Sequence, residues 1–202
     1  MENLMEYIGS VRVILLGVAG FSYLLGSISS AILVSKVMRL PDPRTIGSGN
    51  PGATNVLRGG SKLGALFTLL GDALKGFFPV ILVKSVGLGN EAIALALLFS
   101  VLGHMYPVFF GFKGGKGVAT SFGGILAYRW WLGVVVLVVW GCVFLVSRIS
   151  SLSALLAAVL GSVVAYFFIP SIVFYSLLVV VIFLVWRHRE NIKRLCQGIE
   201  GK

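Results

Sequence analysis

Gly103-His-Met-Tyr-Pro-Val-Phe-Phe-Gly-Phe-Lys-Gly-Gly-Lys-Gly-Val-Ala-Thr120 sets two lysines, Lys113 and Lys116, among Gly111, Gly114, Gly115 and Gly117 and between two long apolar runs. Lysine is costly at membrane depth, so a pair placed at the end of a span requires an anionic partner or water. Glycines around it expose backbone N–H groups and let the chain fold closely around a ligand. Two readings follow: a phosphate site at the membrane surface, or an ordinary cytoplasmic loop obeying the positive-inside bias.

The surrounding chain settles that a membrane is involved. Of 202 residues, 57% are hydrophobic and 12% charged, with mean hydropathy +0.99, whereas a soluble domain carries about 25% charged residues. This composition predicts an all-α membrane protein, one polytopic helical bundle over residues 1–202 without a separate soluble domain. The net charge of +10 does not point to nucleic acid, because the basic residues fall in short clusters between apolar runs and no basic reading helix is present. Cys142 lies in an apolar run and Cys196 in the basic tail, which suits neither a disulfide nor a metal site. Glu2 and Glu6 stand where a signal peptide would carry positive charge, so the first apolar run reads as a retained span.

Apolar runs predict about seven transmembrane helices, over 13–38, 62–86, 92–110, 115–128, 131–147, 152–168 and 170–187, the fourth short enough to be a half-span. With the N-terminus outside and the C-terminus cytoplasmic, Lys36, Arg39, Arg44, Arg58, Lys62, Lys113, Lys116, Arg148, Arg187, Arg189, Lys193, Arg194 and Lys202 share the cytoplasmic side. The other side keeps Arg12, Lys84 and Arg129, with Glu2, Glu6 and Glu91. A five-span reading with two re-entrant runs preserves the same asymmetry. Ser22, Gly26, Ser29, Gly161 and Ser162 mark expected close helix contacts.

The first interhelical loop, Gly47-Ser-Gly-Asn-Pro-Gly-Ala-Thr-Asn55 with Arg58, formally matches the dinucleotide fingerprint, but a span and a proline-rich turn precede it in place of a strand. Its local chemistry remains: the amides of Gly47, Gly49 and Gly52, the hydroxyls of Ser48 and Thr54, and the side chains of Asn50 and Asn55 can donate to phosphate oxygens, and Arg58 can add a bidentate charged contact. A plain polar turn would use the same residue types. In the second stretch, Phe110 stands six positions before Lys116, where a Walker A loop needs glycine, and no Ser or Thr follows the lysine closely, so ATP binding is not supported. His104 reads either as a phosphate donor or base, or as a packed histidine. Asp72 and Lys75, three apart in an apolar helix, can pair, or Lys75 can face the anion site. The tail from Trp186 is expected to continue the last helix, with His188, Asn191 and Arg194 on one face, beyond what a basic lipid-binding helix requires.

Together these motifs resemble the bacterial integral-membrane acyl-phosphate:glycerol-3-phosphate acyltransferases. The likeness rests on the first loop with Arg58, on Gly103–Thr120, and on Arg187-His-Arg-Glu-Asn191 with Gly198 and Glu200; Asp72-Ala-Leu-Lys-Gly76 is a fourth element. The resemblance implies transfer of a fatty acyl group from acyl phosphate to the 1-hydroxyl of glycerol 3-phosphate, yielding lysophosphatidic acid and phosphate, without metal or cofactor. It implies a multi-pass protein of the bacterial inner membrane, active at the cytoplasmic face, in contact with membrane lipid and with the enzyme that makes acyl phosphate as a candidate partner. Ser48, Lys116, His188 and Asn191 would be catalytic. Gly47, Gly49, Asn50, Gly52, Thr54, Asn55, Arg58, Lys75, His104, Lys113, Gly114, Gly115, Gly117, Thr120 and Arg194 would bind substrate. The His-x4-Asp motif of soluble-domain acyltransferases is missing: Phe109 follows His104 at that spacing and Lys193 follows His188. A transporter or channel for phosphate or an organic anion is the rival reading, and it predicts matched broken repeats that the sequence does not display.

Overall fold

The computed structural model describes residues 2–201; Lys202 and the side chain of Glu2, both used in the charge argument, lie outside the described residues. All longer regular elements among the described residues are α-helices: α1 (Glu2–Gly26), α2 (Ser30–Val37), α3 (Ala53–Arg58), α4 (Lys62–Ser85), α5 (Gly89–Met105), α6 (Val118–Tyr128), α7 (Trp130–Ser147), α8 (Ser150–Phe168), α9 (Ser171–Arg187) and α10 (Arg189–Cys196). Helices are what an apolar chain must form in lipid, where no water completes backbone hydrogen bonds.

Five segments are long and apolar enough to cross a bilayer: Gly9–Val37, Lys62–Ser85, Gly89–Phe110, Trp130–Ser147 and Ser150–Phe168. A sixth arises if α9 and α10, bent by 58°, count as one. The expected span at 115–128 forms only the 11-residue α6, about 16 Å of helix against a hydrocarbon core of about 30 Å. The reason lies in its neighbours. Gly76, well inside α4, packs on the carbonyl of Thr120, whereas Lys84 near the end of α4 donates to the carbonyls of Ala127 (3.2 Å) and Tyr128 (3.0 Å). α6 therefore runs alongside the far part of α4, and the lysine–glycine stretch before it descends into the bundle instead of lying on its surface.

The packing inverts the soluble pattern. Ser22, Ser100 and Thr68 are fully buried, while Val146 is 88% exposed, Leu16 73% and Phe167 71%. The helices are drawn together by small side chains and backbone contact. A Cβ on Gly76 would stand 1.9 Å from the Thr120 oxygen, and one on Gly123 1.9 Å from the Ala73 oxygen. Across α1 and α5, Gly26 and Gly103 leave equally little room: a Cβ added to either would stand 2.2 Å from a facing carbonyl oxygen. Of the expected contact residues, Ser22, Gly26, Ser29 and Gly161 are buried, and Ser162 is half-buried with its hydroxyl bonded to Ala158.

Gly123→Val must push α6 off α4, and overpacking of this kind costs about 1–3 kcal/mol. Thermal unfolding in detergent should drop by roughly 3–10 °C. Gly141→Ala, where nothing lies within 4 Å of the added Cβ, should leave the midpoint in place.

Candidate active site

The first loop is built around Asn55, which is 2% exposed. Its Nδ2 donates to the carbonyls of Pro43 (2.6 Å) and Ile46 (3.0 Å), and its Oδ1 accepts from the Ser48 N–H (3.0 Å). Gly47 turns through φ +52, where a Cβ would strike the Asn55 amide. The N–H groups of Gly49 and Gly52 are likewise bonded within the loop, to Ile46 and Asn50. Two of the three glycine amides expected to cradle phosphate, those of Gly49 and Gly52, are thus spent on the loop's own shape, and Asn55 with them. What the loop presents outward is the exposed Ser48 and, at the end of α3, Arg58. Thr54 is exposed and Asn50 half-buried, and neither lines the hollow described below.

The second stretch is folded on His104. Gly115 N–H donates to the His104 carbonyl (3.1 Å), and a Cβ at Gly115 would sit 2.1 Å from the imidazole Nε2. From the other side, Arg187 donates to the carbonyls of Gly115 (3.1 Å) and Gly114 (2.5 Å) and lies over the Tyr106 ring. This pincer delivers Lys116. Gly117 packs on Met105 and starts α6. Lys113 remains exposed, and Thr120 is fully buried against α4, so neither reaches the hollow. Lys75 also turns away from it: its Nζ is 3.0 Å from Asp72 and donates to the Ile28 carbonyl at 2.8 Å. His104 Nδ1 lies 3.5 Å from the same Asp72 oxygen. The pairing expected for Asp72 and Lys75 is present, and it takes Lys75 out of the phosphate-binding set.

The tail does not continue α9. The chain bends by 58° at His188, whose backbone N–H and Nδ1 both address the Leu184 carbonyl, at 3.0 and 2.8 Å. With Nδ1 donating, Nε2 is the ring nitrogen left to accept. Asn191, also buried, accepts from Lys116 Nζ (2.5 Å) and donates to Glu200 (2.6 Å). Glu200 takes further bonds from the Ser151 hydroxyl (2.7 Å) and Arg194 Nε (2.6 Å). Burial works against its charge, but the three donors outweigh burial and hold its carboxyl below the ordinary carboxylate value.

Gly47, Ser48, Arg58, Arg194, Glu200 and Gly201 line a hollow of about 310 Å³ at this end of the bundle. Two guanidinium groups against one carboxylate make it an anion site, and the planar fork of arginine matches phosphate. Lys116 and Asn191 adjoin it through the Asn191–Glu200 bond. Sequence reading passed over Glu200, Arg187 and Ser151 as site residues. The usable signal was Glu200, one of two acids, with Glu190, in a strongly basic tail. Among the described residues no group of His, Cys, Asp and Glu could hold a metal.

The family model described as Glycerol-3-phosphate acyltransferase matches residues 16–198. The chain belongs to the glycerol-3-phosphate acyltransferase family. It is 50% identical over 183 residues to the glycerol-3-phosphate acyltransferase of Francisella tularensis subsp. novicida, covering 90% of this chain and 89% of that one. It is 52% identical over 181 residues to that of Methylobacillus flagellatus, covering 89% and 92%. The solved PlsY (YgiH), an integral membrane glycerol 3-phosphate acyltransferase in its glycerol 3-phosphate form, superposes with TM-score 0.88 at 40% identity, over 93% of this chain and 94% of that one. The family and the likeness to an integral membrane protein leave the transporter reading without support.

A carboxyl with a depressed pKa stabilises the docked tail above its ordinary value and loses that contribution as pH falls through the docked value. Amide protection of residues 189–199, corrected for intrinsic exchange, should be constant from about pH 8 to 6 and decline progressively once pH falls below the ordinary glutamate value of 4.5. Glu200→Gln should lose it across the whole range.

Proposed function

We propose that the chain transfers a fatty acyl group from acyl phosphate to the 1-hydroxyl of sn-glycerol 3-phosphate, giving lysophosphatidic acid and inorganic phosphate, the first step of phospholipid synthesis. The observation that carries this reading is the meeting of Ser48, Arg58 and Arg194 in one hollow, with Lys116 fixed beside it, at the end of an apolar bundle. A soluble phosphate and a lipid-like acyl chain can meet only at such a boundary. Arg58, Arg194 and Lys116 hold the glycerol 3-phosphate anion. Asn191 orients Lys116, and His188 offers Nε2 from the corner of the tail. The Ser48 hydroxyl and Asn50 address the acyl phosphate, whose chain lies along the apolar spans.

The hydroxyl oxygen attacks the acyl carbonyl carbon, the carbon–oxygen bond to phosphate breaks, and the departing phosphate takes the hydroxyl proton. A mixed anhydride is reactive, so positioning and charge stabilisation supply the rate, and neither a side-chain base nor a cofactor is called for. The Lys/Arg asymmetry supports an odd number of passes with the N-terminus outside and the site at the cytoplasmic face, and the family supports a bacterial inner membrane. The enzyme that makes acyl phosphate is the natural partner, because its product is labile in water.

The test is phosphate release by the purified protein in lipid with palmitoyl phosphate. Release should require glycerol 3-phosphate, match lysophosphatidic acid formed, and fall at least about 100-fold in Ser48→Ala and Lys116→Ala, the loss typical of removing one charge-stabilising donor. Palmitoyl-CoA should be inert. Equal turnover of the thioester would overturn the donor, and no release with either donor would overturn the transferase.

A further inference from the structure

Asp72, Lys75 and His104 are nine-tenths or more buried inside the spans and outside the hollow. Ionised groups at that depth are expensive, and their presence there calls for a task. Their contacts identify one. Lys75 Nζ donates to the carbonyl of Ile28 (2.8 Å), in the break between α1 and α2; α2 leads directly to the first glycine loop. Asp72 Oδ1 stands 3.0 Å from Lys75 Nζ and 3.5 Å from His104 Nδ1, bridging the two by close polar contact in which neither Oδ1 nor Nδ1 completes a hydrogen bond. His104 in turn carries the second glycine loop, through its carbonyl to the Gly115 N–H and its ring in the space a Cβ at Gly115 would take. A single buried link therefore joins the roots of the two loops that bear Ser48 and Lys116.

Resting on the transferase reading above, we propose that Asp72, Lys75 and His104 are positioning residues that set the spacing between the two substrate-bearing loops. Each loop is shaped by its own bonds, Asn55 in one and Arg187 in the other, and keeps its affinity when the link is cut. The step that suffers is the one needing both substrates in register, which is sensitive to small misplacements. Loss of the link lowers kcat and leaves KM for glycerol 3-phosphate nearly unchanged.

The decisive variant is the double replacement Asp72→Asn with Lys75→Met, in nanodiscs, with kcat referred to the folded fraction. Removing both charges together relieves their desolvation, so thermal stability should equal or exceed that of the parent. The parent is assayed first: its failure to transfer would sink the transferase reading alone. With an active parent, the double variant should lose at least about tenfold in kcat, with KM for glycerol 3-phosphate within threefold, and Asp72→Asn alone should lose as much, since one link is cut either way. Parental kcat in a variant of restored stability would overturn the proposal. Should the double variant not fold, spin labels at Thr54→Cys and Lys113→Cys, in a background lacking Cys142 and Cys196, decide on Asp72→Asn alone. A broadened interloop distance supports the link, and a parental distribution overturns it.

Discussion

Irregular backbone inside a bilayer has to complete its hydrogen bonds within the protein, and between α5 and α6 the carbonyls of Gly114 and Gly115 meet this constraint through one side chain. Arg187 gives two donors to the carbonyls of Gly114 and Gly115 while its plane lies over Tyr106. Only where such groups are buried in protein is non-helical chain tolerated at depth. The rest follows. With those carbonyls satisfied, the glycines can press on His104, α6 can begin part-way into the bundle, and Lys116 can be held at a defined place without lipid contact. The arginine belongs to α9, more than 70 residues away in sequence, so the site is conditional on the whole bundle having assembled.

A second closure works by charge. Glu200 is the one carboxylate lining a strongly basic hollow, and it gathers Ser151, Asn191 and Arg194 onto two oxygens. Through Asn191 it also fixes Lys116. A carboxylate in an anion site looks counterproductive, yet Arg194 and Lys116 would repel one another without it. Of the two guanidinium groups lining the hollow, that of Arg58 makes no side-chain hydrogen bond among the described residues.

The helical class, the polar end of the bundle and the three motifs were legible in composition and spacing, because apolar runs and clustered basic residues have few other uses. The roles within the motifs were less so. Asn55 and Ser48 look alike in a glycine-rich loop; only the fold shows one bonded inward three times and the other facing the hollow. Lys75 and Lys116 are both lysines beside glycines, and the difference between them is a carbonyl, that of Ile28, which a helix break exposes 47 residues earlier. The bend at His188 was invisible because the sequence around it, Trp186-Arg-His-Arg-Glu190, has good helix formers and no proline or glycine. Length alone hinted at the truncated α6, but its cause, a chain entering from part-way along α4, is tertiary.

The walls of the hollow are far apart in the chain: Gly47, Ser48 and Arg58 on one side, Arg194, Glu200 and Gly201 on the other. In biosynthesis this sets an order of events. A nascent chain that has integrated its early helices already displays Ser48 and Arg58, with nothing opposite them. Helices α4 to α9 must follow before residues 194–201 leave the ribosome and fold back across the opening. A partial translation product therefore lacks one wall of the hollow, and the site exists only once the last residues have arrived.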